Sequence, residues 1–285
     1  MTATLIMLLP AATLATAQPQ FSFAVLTDIQ YGDQATMGKR DYRASLGKLH
    51  EAVSALNRER LEFAIQLGDL IDSKGADLQP ILDVYNQLHT RRYSVIGNHD
   101  LAAGRETLAR LLAPSAYYRF TVRDWRFLVV DGMDVNVRSA AGTRALESLR
   151  TAGSANAQDW NGAIGNEQLE WLRAELDDAQ QKHERVIVFC HFPLLAAAST
   201  PAHLLWNHDA VVDILEKHPA VVAWFNGHDH AGGYTEQHGI HYMTFPGMVE
   251  SGKQNSYSVV RVYADRLEVI GSGTAPRRVL AITAR

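Results

Sequence analysis

FSFAVLTDIQYGD, residues 21–33, decides how the rest of the chain is read. Phe21 to Thr27 is a compact apolar run rich in strand formers, and the polar DIQYGD that follows reads as a loop at its C-terminal end. The strand therefore delivers Asp28 and Gln30 to one edge of a sheet. Between Asp41 and Leu61, the apolar residues Leu46, Leu49, Val53 and Leu56 recur at three- and four-residue spacing, which predicts an amphipathic helix lying on that sheet. Phe63 to Leu67 returns as a buried strand ending at Gly68-Asp69. Leu78 to His89 reads as a second helix, and Tyr93 to Ile96 as a third strand ending at Gly97-Asn98-His99-Asp100. Strand, helix, strand, helix, strand in this order implies a parallel sheet, with reactive groups at its carboxyl edge.

Further along, Tyr117–Val122 and Trp125–Val130 read as a hairpin-like strand pair. The polar, Gly/Ala/Ser-rich stretch from Val135 to Gly165 reads as a long surface loop. Asn166 to Gln181 is a predicted helix with Leu169, Leu172 and Leu176 on one face. Val186–Phe189 is the strand that carries His191, and Val221–Phe225 the strand that carries Gly227-His228-Asp229-His230. From Ile240 to Ile270 short strands follow one another without helices, which predicts a second, more antiparallel sheet packed against the first.

With 285 residues and 47% hydrophobic content, the chain has ample material for one large α/β domain, and residues 21–285 are read as that domain. A formal net charge of -4 gives no electrostatic footprint for nucleic acid. The single cysteine, Cys190, excludes an intramolecular disulfide framework and a thiolate cluster, and nothing near it in sequence organises it as a nucleophile. Residues 1–17 carry a short apolar run, Leu5 to Leu9, and a small-residue stretch, Ala15-Thr16-Ala17, but no Lys or Arg ahead of the run. They are read as a signal peptide or a disordered leader: export, to the periplasm for instance, follows if the segment is cleaved, and a cytoplasmic location otherwise. The run is too short to span a membrane, and no stable membrane insertion is expected.

Five polar islands, each behind an apolar run, carry the chemistry: Asp28-Ile29-Gln30, Gly68-Asp69-Leu70-Ile71-Asp72, Gly97-Asn98-His99-Asp100, Cys190-His191-Phe192-Pro193 and Gly227-His228-Asp229-His230. Singly, each has an ordinary structural explanation as a turn, a helix cap or a satisfied imidazole. Jointly, in this order, they read as a two-metal phosphoesterase site. A pair of divalent ions needs a bridging carboxylate, and Asp69 is the candidate, with Gly68 letting the backbone turn close by. Asp28, Gln30 and His230 then complete one shell, and Asn98, His191 and His228 the other. His228 and His230 are expected on one side of an extended segment. Their outer ring nitrogens should be held by carbonyls or carboxylates. Asp72 and Asp100 are candidates to support the site from behind. His99 is the candidate catalytic residue at the leaving oxygen, oriented by Asp100.

These islands resemble the calcineurin-like metallophosphoesterases, whose pattern is D-x-H, G-D-x-x-D, G-N-H-[DE], a lone H and G-H-x-H. Gln30 stands where most members have His. The D-x-Q variant in LTDIQYGD is similar to the manganese-dependent ADP-ribose/CDP-alcohol diphosphatases, as are KRDYRASL, NGAIGNEQLEWL, LLWNHDAVVDIL and GHDHAGGY, a likeness running from about Phe21 to the C-terminus. The resemblance implies a four-layer α/β/β/α sandwich of two facing mixed sheets flanked by helices. It implies the same seven metal ligands and His99 near the leaving group. It also implies two divalent ions, with Mn²⁺ first and iron, zinc or magnesium as alternatives; an amide oxygen at Gln30 is a harder donor than imidazole and favours Mn²⁺.

The implied reaction is cleavage of the diphosphate in small nucleotides such as ADP-ribose or CDP-choline, giving a nucleoside monophosphate. Arg40 and Arg43 are candidates to hold a phosphate, with ordinary exposed helix charges as the alternative. Tyr31 and Trp206-Asn207 are candidates to position a base, packing being the other reading of Trp206. The rival readings are a cyclic-nucleotide or other phosphodiesterase of the same superfamily and a metal-free scaffold with the same fold. The scaffold reading conflicts with seven positions that all carry residues able to coordinate.

Overall fold

The computed structural model describes residues 18–112 and 115–283. The segment read as a leader, residues 1–17, lies outside them. Two six-stranded sheets pack face to face. The first has the order β12-β11-β10-β1-β2-β3, where β1 is Phe21–Leu26, β2 Phe63–Gln66, β3 Arg91–Ser94, β10 Ser256–Val262, β11 Arg266–Gly273 and β12 Arg278–Ala281. The second has the order β4-β5-β6-β7-β9-β8, where β4 is Tyr118–Val122, β5 Trp125–Val129, β6 Arg185–Phe189, β7 Val221–Asn226, β8 Gly233–Gln237 and β9 Ile240–Thr244.

β1 is apolar on both faces because both faces are covered. Phe23 and Val25 point between the sheets, together with Phe63, Phe127, Phe189 and Phe225. Ala24 and Leu26 point outward to the helix-covered side, beside Leu49, Val53 and Leu56 of α1 (Ala44–Leu56). The period-two alternation of a strand thus sorts a continuous apolar run into two different cores. Phe23 stacks on Phe63 with ring centroids 4.7 Å apart, pinning β1 to β2 across the ladder. β6 follows the same rule, with Ile187 and Phe189 inward and Val186 and Val188 outward. Helices α2 (Leu78–Tyr85), α5 (Asn166–Gln181) and α6 (His208–Glu216) bury their apolar faces in the outer cores.

β1, β2 and β3 are parallel, as the strand and helix order predicts. Two expectations are corrected. The strands after Ile240 do not build a sheet of their own. β9 runs parallel to β7 inside the second sheet, whereas β10 pairs antiparallel with β1 and extends the first. The second sheet is made by the middle of the chain, β4 to β9, and four of its strands are parallel. Strand pairing is set by distant partners, which local patterning does not report. The stretch from Val135 to Gly165 is not all loop either: Ala140–Thr151 forms α4, capped by the Ser139 hydroxyl on the Gly142 N–H, and buries Leu146 against Ala157, Ala163 and Trp206. The sparse apolar residues of α4 reflect a helix that buries only one narrow stripe.

Candidate metal centre

The carboxyl ends of β1, β2, β6 and β7 open on the same end of the sandwich, and the loops that leave them meet there. Those loops are stitched by main-chain bonds from Asp28 N to Gly68 O (3.1 Å), Gln30 N to Asp69 O (2.8 Å), Gly227 N to His191 O (3.1 Å) and Val249 N to Asp28 O (3.0 Å). Four of the seven side chains predicted as ligands sit on left-handed backbone: Asp28 at φ 47°, Gln30 at 42°, Asp69 at 58° and His228 at 71°. Non-glycine residues adopt that region at a cost and cluster there when a site demands it. His228 corrects the expectation of an extended segment. Its left-handed turn, rather than strand alternation, brings both imidazoles of His228-Asp229-His230 to the centre.

All seven predicted side chains converge. His191 Nε2 lies 3.2 Å from Asp69 Oδ2, 3.1 Å from Asn98 Oδ1 and 3.2 Å from His228 Nδ1. His230 Nε2 lies 3.3 Å from Asp28 Oδ1, and the Gln30 amide nitrogen 3.2 Å from Asp69 Oδ2. These contacts fall into the two predicted groups, with Asp69 common to both. Asp69, His191 and His228 each offer a ligand atom, all within 4.8 Å of one another, and all three are buried.

The donor set fits divalent cations. Gln30 Oε1 is buried without a hydrogen-bond partner among the described residues, and Asp28 Oδ1 has only the His230 ring at 3.3 Å, an arrangement that is costly for the amide oxygen unless something else satisfies it. Ligand atoms about 2.1 Å from an octahedral cation lie roughly 3 Å from their neighbours in the shell, which is the spacing seen here.

Glycines make room for this crowding. Gly68 has φ 102°, and a β-carbon there would meet His191 Nδ1 at 2.5 Å. A β-carbon on Gly97 would overlap the Asp69 carboxylate.

Without a cation, the carboxylates draw protons onto the imidazoles. Burial works against protonation of His191, but Asp69 raises it to about 9. Burial works equally against His230, which Asp28 raises to about 10. Burial and the neighbouring His191 hold His228 well below its ordinary value. Asp69 is held far below the usual carboxylate range by the surrounding histidines, His191 first, against the opposing effect of burial.

Each imidazole is braced from behind. His191 Nδ1 faces the Leu67 carbonyl at 2.8 Å, His228 Nε2 faces Asn161 Oδ1 at 2.9 Å and His230 Nδ1 faces Glu250 Oε1 at 3.1 Å. Glu250 has no motif around it, and Asn161, although it opens the string NGAIGNEQLEWL, is not singled out there as a site residue, because its contact with His228 spans 67 residues.

Asp100 does not orient His99, contrary to expectation. Its carboxylate instead accepts the backbone N–H groups of Asp69 (2.9 Å), Leu70 (2.8 Å), Ile71 (3.4 Å) and Gly97 (2.9 Å), and so fixes the loop that carries Asp69. Asp72 holds His99: the ring Nδ1 lies 2.6 Å from the Asp72 carbonyl and 3.5 Å from its carboxylate. His99 also donates its backbone N–H to Asp69 Oδ1 at 2.9 Å, so the ring stands beside the centre.

The auxiliary candidates separate. Arg40 pairs with Glu250 at 3.0 Å, one residue removed from His230, whereas Arg43 pairs with Asp33 on the open surface. Trp206 is a packed aromatic whose Nε1 donates to the Gln158 carbonyl, and the Asn207 side chain is spent on Ile164, so neither is free to hold a base. Tyr31 is half-buried at the rim of the first loop.

Known proteins resemble this chain in sequence and in fold. The family model described as calcineurin-like phosphoesterase matches residues 21–232. A protein of Oryza sativa subsp. japonica named manganese-dependent ADP-ribose/CDP-alcohol diphosphatase is 32% identical, covering 90% of this chain and 92% of its own length. The Homo sapiens protein of the same name is 27% identical, covering 95% of each. Among solved structures, a dimetal phosphatase from Danio rerio superposes with a TM-score of 0.86 at 27% identity, covering 93% of this chain and all of the other. With the family model spanning every island from Asp28 to His230, and the same end of the same sandwich holding them, this chain belongs to the calcineurin-like phosphoesterase family.

Proposed function

We propose that this chain is a dinuclear-metal, manganese-dependent hydrolase that cleaves the diphosphate linkage of small nucleoside-diphosphate compounds of the ADP-ribose and CDP-alcohol class. The observation that carries the reading is the convergence of seven donor side chains around the buried, unpartnered amide oxygen of Gln30, which stands where an imidazole is the common choice. The names of relatives matching over nine-tenths of the chain support the substrate class. Residues 21–285 act as one domain, because β10 to β12 complete the sheet that β1 begins.

Asp28, Gln30, Asp69 and His230 hold one ion, and Asp69, Asn98, His191 and His228 the other. When bound, the two cations supply Lewis acidity to a phosphoryl oxygen and lower the pKa of water. The chain supplies the rest. Asp100 fixes the Asp69 backbone, so the shared carboxylate does not swing with its loop. His99, its Nδ1 tied to Asp72, presents Nε2 to the leaving oxygen as proton donor. Phe192 packs edge-on against His228 with ring centroids 4.6 Å apart and supports that imidazole from its apolar side. Gln30 presents a neutral amide oxygen, a hard donor suited to Mn²⁺.

The test is turnover by metal-stripped protein reloaded with Mn²⁺, Mg²⁺ or Zn²⁺, on ADP-ribose, CDP-choline, cyclic AMP and single-stranded DNA. Release of the nucleoside monophosphate from the first two, strongest with Mn²⁺, is the expected result. Turnover confined to cyclic AMP or DNA would reject the substrate class.

A further inference from the structure

The three imidazoles of the centre differ in what stands behind them. His191 and His228 lean on neutral acceptors, the Leu67 carbonyl and the Asn161 amide oxygen. Asn161 is itself locked, because its amide nitrogen donates to the carbonyls of Asn156 (3.1 Å) and Ala202 (2.7 Å). His230 alone leans on a carboxylate, Glu250, whose Oε1 also accepts from Arg40 Nε at 3.0 Å. The inner groups are unequal as well. Asp28 belongs with His230, whereas Asn98 in the opposite half is neutral, and Asp69 is common to both.

A carboxylate behind a ligating imidazole fixes the ring and makes it a stronger donor, whereas a neutral acceptor fixes the ring without adding charge. Two carboxylates, Asp28 and Glu250, contact the His230 ring directly, whereas among the described residues the His191 ring contacts no carboxylate beyond the shared Asp69 and the His228 ring contacts none; Asp28 and Asp100 reach His191 only through space. Arg40 offsets part of the Glu250 charge. The Arg40 and Glu250 side chains are about equally exposed, 32% and 28%, so water screens both, but the Glu250 oxygen touches the imidazole at 3.1 Å while the guanidinium lies behind it.

We infer that Glu250 is a positioning residue that makes the half-site of Asp28, Gln30 and His230 the tight one, leaving the half-site of Asn98, His191 and His228 as the weaker, exchangeable one. The inference rests on the two-ion reading above. It means that the centre loads in order, and that free Mn²⁺ controls activity through the second ion alone.

Metal-stripped full-length protein titrated with Mn²⁺, with the free aquo ion read by electron paramagnetic resonance, counts bound ions without any turnover. The wild type should take up two ions in separable steps, with dissociation constants at least roughly tenfold apart, the scale on which partners behind a ligand act. Glu250→Gln keeps an acceptor oxygen toward His230 and removes the charge, so the tight step should weaken about tenfold, and Glu250→Ala should weaken it by up to about 100-fold. Asn98→Ala should weaken the later step and leave the first intact. Thermal melts in chelator that match the wild type assign these losses to metal binding rather than folding. Two equal steps in the wild type, a Glu250→Gln variant with unchanged steps, or loss of the first step in Asn98→Ala would overturn the inference. A wild type that binds one ion or none would instead overturn the two-ion reading beneath it.

Discussion

A single methyl group placed at Gly97 tests whether the position of Asp69 is what the centre depends on. A β-carbon there would overlap Asp69 Oδ1 and lie 2.8 Å from Asp69 Cγ, where ordinary contacts begin at about 3.4 Å. Relief therefore needs atoms of Asp69 to retreat by roughly 0.6 to 1.3 Å, since overpacked groups displace their neighbours. The backbone cannot yield easily, because Asp100 grips the N–H groups of both Asp69 and Gly97 at 2.9 Å. Forcing such a contact costs about 1–3 kcal/mol of stability, and a misplacement near 1 Å costs about 100-fold in rate. Gly47 provides the control. It lies on the exposed face of α1 with nothing within 4 Å of its would-be β-carbon, so Gly47→Ala should stabilise by about 0.5–1 kcal/mol through helix propensity. Urea unfolding in chelator and Mn²⁺ binding, measured on both variants, read the two quantities separately. A Gly97→Ala protein that binds two ions with wild-type affinity and turns over normally would refute the reasoning, because Asp69 would then tolerate displacement.

Other consequences follow from particular groups. His191 and His230, raised to about 9 and about 10 in the metal-free protein, carry protons at pH 7 that must leave before they ligate, so Mn²⁺ affinity should rise with pH from 6 to 9 and binding should release protons. Calorimetry in buffers of different ionisation enthalpy measures that release, and a heat independent of buffer would contradict it. Gln30→His should shift metal preference from Mn²⁺ toward Zn²⁺ in competition binding; unchanged preference would remove Gln30 as the selecting donor. Arg126, buried on β5 between Glu175 (2.7 Å), Asp178 (2.6 Å) and Glu184 (2.7 Å), ties the second sheet to α5. Arg126→Met strands those carboxylates together and should cost about 2–4 kcal/mol in urea unfolding, below the fully buried case because the partners keep some solvent; a loss under about 1 kcal/mol would show the cluster to be dispensable. The Cys190 thiol is fully buried and pushed up to about 12 by that burial, so an aromatic disulfide reagent at pH 8 should label it only after denaturant is added. Rapid stoichiometric labelling of the native protein would place the thiol at the surface instead.

The first half of the fold and the identity of the converging side chains are legible in the order of residues alone. Strand and helix periods are written in residues two to four apart, so β1, α1, β2 and α5 could be read directly, and each island follows its strand by one to three residues. Local patterning does not encode which strands pair. β10 lies beside β1 although 230 residues separate their ends, and nothing in either run names the other. The same limit applies behind the ligands. His228 is braced by Asn161 from 67 residues away, and Arg40 meets Glu250 across 210. Asp72 takes the duty expected of Asp100, because His99 sits at the start of a short 3-10 turn that carries its ring toward Asp72 and leaves the Asp100 carboxylate facing the backbone of the Asp69 loop. Residue type and local spacing specify which atoms can bind a cation; only the closing of distant loops, each held by backbone hydrogen bonds to another, decides which groups orient those atoms and with how much charge.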